Sequence, residues 1–173
     1  MPKIIVNARE QLLSEAKKQI LERGYKDTTI RSVAGACGIG IGTVYNYFKS
    51  KEMLIATFVY ENWKKYLENM QNLPTNDLYA LLFGIYHSLS SFAKENERLF
   101  SDSDAAKVIS EGAAGRHKRL RDQIASFVIP ACRREYCKNP QFVAEFIAEA
   151  LISWSMENAD FETLYELLKK IIY

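Results

Sequence analysis

Apolar residues recur every three or four positions along almost the whole chain, and this periodicity constrains the fold more than any other feature. Such spacing places apolar side chains on one face of an α-helix, whereas a half-buried strand needs strict alternation. Sustained alternation is almost absent here. A chain of 173 residues is also long enough to bury a large core. The sequence therefore predicts an all-α fold, with a three-helix N-terminal domain, a larger helical domain and about nine helices in total.

The composition excludes several classes of protein. Hydrophobic residues make up 48% of the chain and charged residues 25%, which argues against intrinsic disorder. No apolar stretch approaches the ~20 residues that span a bilayer, and the apolar run over residues 4–6 is too short for a signal peptide. The three cysteines form no disulfide framework, and the two histidines have no metal-ligand spacing. We therefore expect a cytoplasmic protein with no membrane contact, metal or cofactor.

Two of the cysteines lie near the end of a helix predicted over residues 116–137. Pro130 should kink this helix, because proline lacks the N–H group and clashes with the preceding turn. Cys132 and Cys137 are five positions apart, which places them on different faces of a continuous helix. They are therefore predicted to be packing residues and not a redox pair.

The charge is unevenly distributed along the chain. Residues 1–51 contain nine Lys or Arg and four Asp or Glu, a net charge of +5, whereas residues 52–173 have a net charge of −3. The asymmetry indicates a basic N-terminal domain over residues 1–51 that faces a polyanion, followed by a second domain over residues 52–173.

Residues 28–48 contain the most informative motif: two short predicted helices joined by a turn with two glycines, the ingredients of a helix-turn-helix. Gly38 can adopt the positive φ that ends the first helix. Val44 and Phe48 are four positions apart and can face the core, so that Thr43, Tyr45 and Asn46 project outward. Hydroxyl groups there suit phosphate oxygens, and an asparagine can pair with adenine. The alternative is a packed helical hairpin whose tyrosines only cover the surface.

Two stretches of this region, GYKDTTIRSVA over residues 24–34 and CGIGIGTVYNYFKSKEML over residues 37–54, resemble the DNA-binding domain of the TetR family. The similarity covers about residues 7–58. It implies a transcriptional regulator, predicted to be a repressor that binds a palindromic double-stranded DNA operator as a homodimer. It also implies that residues 52–173 form a ligand-binding and dimerisation domain.

The resemblance also assigns roles to individual positions. The implied DNA contacts are Thr29, Arg31, Ile41, Gly42, Thr43, Tyr45, Asn46, Tyr47 and Lys51. The sequence departs from the family pattern at two places, where Gly40 replaces a common Ser or Thr and Ile41 replaces a common Lys. The first change weakens the cap of the recognition helix, and the second removes a cation that could contact the operator.

Aromatic residues are concentrated after residue 51, where 17 of the 21 lie. By resemblance to the family, this half of the chain should hold a cavity for a small hydrophobic ligand that releases the protein from DNA. The predicted lining is Trp63, Tyr66, Phe83, Tyr86, His87, Phe100 and Phe127. Aromatic residues at helical spacing are more often simply core. Gly84 could make room for a ligand, or merely permit close helix packing.

The last two predicted helices carry wide apolar stripes. In the family, the corresponding helices pair with their copies in a homodimer. The residues predicted for this interface are Phe142, Phe146, Ala150, Trp154, Leu164, Leu168 and Ile171. The alternative is that both helices only close the core of the monomer.

No catalytic constellation is present, so the sequence predicts a protein that is not an enzyme. Two other functions remain open: a helix-turn-helix repressor without a small-molecule inducer, and a helical adaptor that binds another protein. The basic run over residues 116–121 lies outside the matched region and is interpreted as a solvated helix face.

Overall fold

The structure, a computed structural model, describes residues 7–105 and 113–173. The helices bounded within these residues are α1 (Ala8–Arg23), α2 (Ile30–Cys37), α3 (Ile41–Tyr47), α4 (Lys51–Gln71), α5 (Leu78–Glu95), α6 (Glu97–Phe100), α7 (Ala113–Arg134), α8 (Pro140–Met156) and α9 (Phe161–Ile172). The two described ranges contain no strand, and the predicted all-α fold is confirmed. None of the helices described is long and apolar enough to cross a membrane.

Side-chain caps mark the starts of α4 and α9. Ser50 and Asp160 precede α4 and α9, and their side chains accept hydrogen bonds from the amides of Met53 at 3.2 Å and Thr163 at 2.8 Å. The start of α1 has no such side-chain cap. Asn7 has φ 59°, and its side chain makes no cap hydrogen bond, because that bond needs the extended backbone usual at an N-cap.

The first compact unit consists of residues 1–62 and 96–111, as far as they are described. Its core combines residues of α1 to α4 with two residues that follow α5, namely Leu99 and Ala105. The predicted boundary between residues 51 and 52 lies inside this unit. The reason is that the first turns of α4 contribute Leu54, Ile55 and Phe58 to the same core.

The second compact unit consists of residues 63–95 and 112–173, again as far as they are described. Its buried centre is formed mainly by α5, α7 and α8, and α9 packs against it. Gly84 on α5 has no empty space above it, because a Cβ atom there would overlap both methyl groups of Leu73. This glycine therefore permits close packing and does not make room for a ligand.

Helix α7 ends at Arg134 and not at residue 137 as predicted. Pro130 lies inside it. Tyr136 follows with φ 55°, in the left-handed region. The chain therefore reverses direction between Cys132 and Cys137, and these cysteines do not lie on one continuous helix.

Candidate functional site

The start of α2 is fixed by a network of side chains. Thr29 is the N-cap, and its hydroxyl accepts from the amide of Ser32 while the Ser32 hydroxyl accepts from the amide of Thr29, both at 3.0 Å. The Ser32 hydroxyl also contacts Oε1 of Gln19 on α1 at 2.6 Å. Gln19 is itself buried, with 1% exposure. The network holds the first turn of α2 against α1.

The turn between α2 and α3 adopts the conformation expected from its glycines. Gly38 has φ 62°, and the amide of Ile39 donates to the carbonyl of Ala34 at 2.9 Å. Ile39 is buried beneath the turn. Because Gly38 has no Cβ atom, it adopts the left-handed conformation without steric cost. This fixes the direction in which α3 leaves α2.

Helix α3 has a sharp division between a buried and an exposed face. Val44 is fully buried and Phe48 is 2% exposed, whereas Tyr45 and Tyr47 are each 45% exposed. The predicted DNA contacts on this helix are all exposed: Ile41, Gly42, Thr43, Tyr45, Asn46 and Tyr47. The N-cap of α3 is Gly40, which provides no side-chain cap.

An open depression of about 420 Å³ joins the exposed face of α3 to the start of α2 and the start of α4. Its lining residues are Thr29, Ile30, Arg31, Ile41, Tyr45, Lys49, Ser50 and Lys51. The structure therefore brings five of the nine predicted DNA contacts together in one place. Lys49 was not predicted as a contact. It directly follows Tyr47 and Phe48 in the matched motif, and its positive charge is the sequence feature from which a phosphate contact could have been predicted.

The predicted role of Lys51 is modified by its surroundings. Its Nζ atom donates to the carbonyl of Tyr25 at 2.9 Å and lies 3.8 Å from the centre of the Tyr25 ring. The Tyr25 hydroxyl donates to Glu52 at 3.1 Å. Burial and the Glu52 carboxylate raise the pKa of Tyr25 to about 12. Lys51 and Glu52 therefore anchor the start of α4 to the loop between α1 and α2, while Lys51 still lines the depression.

The residues predicted to line a ligand cavity do not lie together. Trp63 and Tyr66 both contact the Phe92 ring edge-on, with centroids 5.1 and 5.6 Å apart. The Trp63 indole donates to Gln123 at 3.1 Å, and the Tyr66 hydroxyl donates to Glu95 at 2.8 Å. Phe127 is partly buried and packs against the same core.

The other predicted lining residues lie elsewhere. Phe83 is 44% exposed, and its ring stacks against the ring of the exposed His87 at 6.1 Å. Tyr86 is buried on another face of α5, and its hydroxyl donates to the carbonyl of Ala159. Phe100 packs against the core of the first unit. Phe83 and His87 therefore lie on an exposed face of α5, whereas Trp63 is buried, because helical periodicity does not determine which neighbour covers each face.

The predicted dimer residues also divide into two groups. On α8, Phe142 is 71% exposed, Phe146 50% and Trp154 46%, with Ala150 partly exposed on the same stripe. On α9, Ile171 is 42% exposed, but Leu164 and Leu168 are only 6% and 2% exposed and belong to the core of their own chain. Those two predictions are corrected. The exposed neighbour of Ile171 is Leu167, at 57%, which the sequence analysis missed.

Comparison with known proteins agrees with this geometry. Residues 12–57 match the family model described as bacterial regulatory proteins, tetR family. Over 47 residues, 27% of this chain, the sequence is 43% identical to the HTH-type transcriptional repressor KstR2 of Mycolicibacterium smegmatis, covering 23% of that protein. It is 31% identical over 61 residues to the fatty acid metabolism regulator protein of Bacillus subtilis, covering 35% of this chain and 31% of that protein. The chain thus spans less than half the length of these curated relatives.

Solved structures share the fold over a longer span. A TetR-family transcriptional regulator from Pectobacterium atrosepticum is 19% identical, with a TM-score of 0.65 over 95% of this chain and 88% of that one. The regulator FadR from Bacillus subtilis in complex with stearoyl-CoA is 18% identical, with a TM-score of 0.57 over 94% of this chain and 96% of that one. These structures share the helical fold, and the family model covers the helix-turn-helix. Over residues 12–57 the chain is similar to the TetR family of bacterial regulatory proteins.

The relatives are named as transcriptional regulators or repressors, which agrees with the prediction that this chain is not an enzyme.

Proposed function

We propose that this protein is a repressor that binds a palindromic operator in double-stranded DNA as a homodimer, in the cytoplasm. The observation that carries the proposal is the exposed face of α3. Its polar and aromatic side chains are exposed to solvent, while Val44 and Phe48 anchor the opposite face in the core. A helix presented in this way enters the major groove, and its neighbours contact the phosphate backbone.

The depression beside α3 supplies the groups that such a contact needs. Arg31 and Lys49 are exposed cations, and Thr29 and Ser50 offer hydroxyl groups. Cations and hydroxyls bind phosphate oxygens and set the position of the helix without reading sequence. On α3, Asn46 is the side chain that can pair with adenine through two hydrogen bonds.

The homodimer rests on the exposed apolar stripe of α8. A palindromic site matches a two-fold symmetric protein, whose two recognition helices must lie about 34–36 Å apart to enter successive major grooves. Phe142, Phe146 and Trp154 follow one another along α8 at intervals of four and eight positions and stay exposed in the single chain. Leu167 and Ile171 on α9 extend the apolar surface available to a partner copy.

Release by a small hydrophobic ligand is the finer part of the proposal. The group formed by Trp63, Tyr66 and Phe92 is apolar, and Gln123 and Glu95 place polar atoms at its edges. Apolar walls with a few polar groups are usual in ligand sites. The relative named for fatty acid metabolism, and the FadR structure that contains stearoyl-CoA, make acylated compounds the first ligands to test.

A repressor without a small-molecule inducer is the second candidate. The packing of the second unit favours it, because Trp63 is only 8% exposed and the space above Gly84 is filled by Leu73. A ligand would have to separate rings that already touch. Thermal unfolding and operator binding, measured with a panel of fatty acids and acyl-CoA esters, distinguish the two. Stabilisation together with release supports an inducer, and neither effect supports the second candidate.

The DNA-binding proposal is tested by fluorescence anisotropy with DNA from the region upstream of the gene. We expect Tyr45→Ala and Asn46→Ala to weaken operator binding by about tenfold or more each, since a good base contact is worth ~1–3 kcal/mol. Lys49→Ala should weaken binding to all sequences about equally and reduce the salt slope by about one.

The matched control is Tyr60→Ala. Tyr60 is 59% exposed on α4 and lies outside the motif, so this variant removes an exposed tyrosine without touching α3. It should bind like the wild type. If Tyr45→Ala, Asn46→Ala and Lys49→Ala all bind operator as tightly as the wild type with unchanged helical content, α3 is not the recognition helix.

A further inference from the structure

Helix α7 ends in a Schellman motif, and the two residues joined by the longer hydrogen bond of the motif are both cysteines. The amide of Cys137 donates to the carbonyl of Cys132 at 3.0 Å, and the amide of Tyr136 donates to the carbonyl of Arg133 at 3.2 Å. Tyr136, between them, has the left-handed φ of 55° that the motif requires. A contact between the side chains of the two residues joined by the longer hydrogen bond frequently accompanies this motif. Here those side chains are two thiols.

The surroundings of the two thiols differ. Cys132 is fully buried in the core of the second unit, whereas Cys137 is partly exposed at its edge. Both are free thiols, and the Cys137 side chain is near enough to Cys132 to help raise the pKa of its thiol. The Cys137 thiol also donates to the carbonyl of Ile172 at 3.3 Å, near the end of α9. Cys137 is therefore the thiol that a reagent in solution can reach, whereas Cys132 is covered by the core.

We propose that Cys132 and Cys137 form a modification site, a dithiol that an oxidant of the peroxide class closes to a disulfide within the chain. The order of steps follows from the burial of each thiol. Burial raises the pKa of the Cys132 thiol to about 12, and the neighbouring Cys137 thiol adds to this shift. Because the thiolate is the nucleophile, Cys137 reacts before Cys132.

The reaction balances in two steps. The Cys137 sulfur attacks one oxygen of hydrogen peroxide, so that an S–O bond forms, the O–O bond breaks and one water leaves, giving a sulfenic acid. The Cys132 sulfur then attacks the Cys137 sulfur, so that the S–S bond forms, the S–O bond breaks and a second water leaves. Two thiols lose two electrons and two protons, and one peroxide becomes two waters.

Oxidation also removes a hydrogen bond. A disulfide has no S–H group, so the donor to the Ile172 carbonyl is lost. That carbonyl lies in the last turn of α9, where backbone acceptors have no partner within the helix. The site therefore couples the redox state of the two cysteines to the end of α9.

The test uses the full chain with Cys37→Ser, which leaves only this pair of thiols. The reduced protein is treated with hydrogen peroxide, alkylated and digested with trypsin without reduction. We expect the peptides 122–133 and 135–138 to be recovered as one disulfide-linked species, and the intact chain to lose two hydrogens. Neither measurement needs a variant at the two cysteines themselves.

Two comparisons make the result decisive. The native protein should form this disulfide at least about tenfold faster than the same chain in urea, because the motif holds the thiols in place. Cys132→Ala should accumulate a sulfenic acid that dimedone traps, and Cys137→Ala should not. The proposal is overturned if both thiols still titrate after treatment, if the linked peptides come only from disulfides between chains, or if the urea-denatured chain reacts equally fast.

Discussion

Replacing Phe146 by aspartate tests the proposed dimer interface most directly. Phe146 is 50% exposed in the single chain, and a phenylalanine contributes about 150–250 Å² of surface. About 100 Å² is therefore left for a partner to cover, worth ~2.5 kcal/mol at ~25 cal/mol per Å². A two-fold interface contains the residue twice. Phe146→Asp should thus cost about 5 kcal/mol of association, which raises the dimer Kd by a factor of roughly a thousand or more.

Sedimentation of the full chain over a range of concentrations measures this shift. Tyr60→Asp is the matched control, because Tyr60 is similarly exposed at 59% but lies on α4 in the first unit. Leu168→Asp is a second comparison. Leu168 is 2% exposed, so this change should unfold the second unit instead of producing folded monomers.

Two results would refute the reasoning. If the wild-type chain sediments as a monomer at micromolar concentration, the stripe of α8 has no partner copy in solution. If Phe146→Asp keeps its helical content and sediments as a dimer with an unchanged Kd, the interface lies elsewhere on the protein. In the expected case, the folded monomer also binds operator weakly, since one recognition helix then reads only one half-site.

Three further predictions concern stability. Thr29→Ala should lower the free energy of unfolding by ~1 kcal/mol, because the capping box of α2 is lost; denaturant titration measures this, and an unchanged midpoint contradicts it. The raised pKa of Tyr25 favours the neutral hydroxyl in the folded state, so this stabilisation is fully present below about pH 10 and is lost as the pH rises toward 12. Urea unfolding at pH 9 and pH 11 should therefore show a larger loss for the wild type than for Tyr25→Phe, which cannot ionise beside Glu52; equal losses would count against the raised pKa. Gly84→Leu should lower the melting temperature, because the new side chain collides with Leu73, and an unchanged or raised melting temperature would show that Leu73 moves aside without cost.

The DNA-binding motif was predicted well because its determinants are local. Gly38 adopts a positive φ that glycine tolerates, Thr29 caps the helix that follows it, and Val44 and Phe48 are four positions apart on one helix face. None of these features depends on a distant part of the chain. The sequence alone therefore predicted the turn, the buried face and the exposed face of α3.

The predictions for the second unit were weaker because they depend on which helices meet. A period of 3.6 residues shows that α9 has an apolar stripe, but not how much of it neighbouring helices cover. Leu164 and Leu168 are covered by their own chain, and Leu167 is not. Phe100 was expected beside Trp63, yet it packs in the other unit, because residues 96–105 return to the core of α1 to α4.

The sequence by itself determined the all-α fold and the helix-turn-helix, since helical periodicity, glycine conformation and capping act over a few residues. Only the tertiary structure decided which apolar side chains remain exposed and which distant groups meet. Cys132 and Cys137 show the difference: spacing on an uninterrupted helix separates them, but the left-handed Tyr136 reverses the chain and brings the thiols together. Burial and long-range contact arise from the packing of whole helices, which no short stretch of sequence specifies.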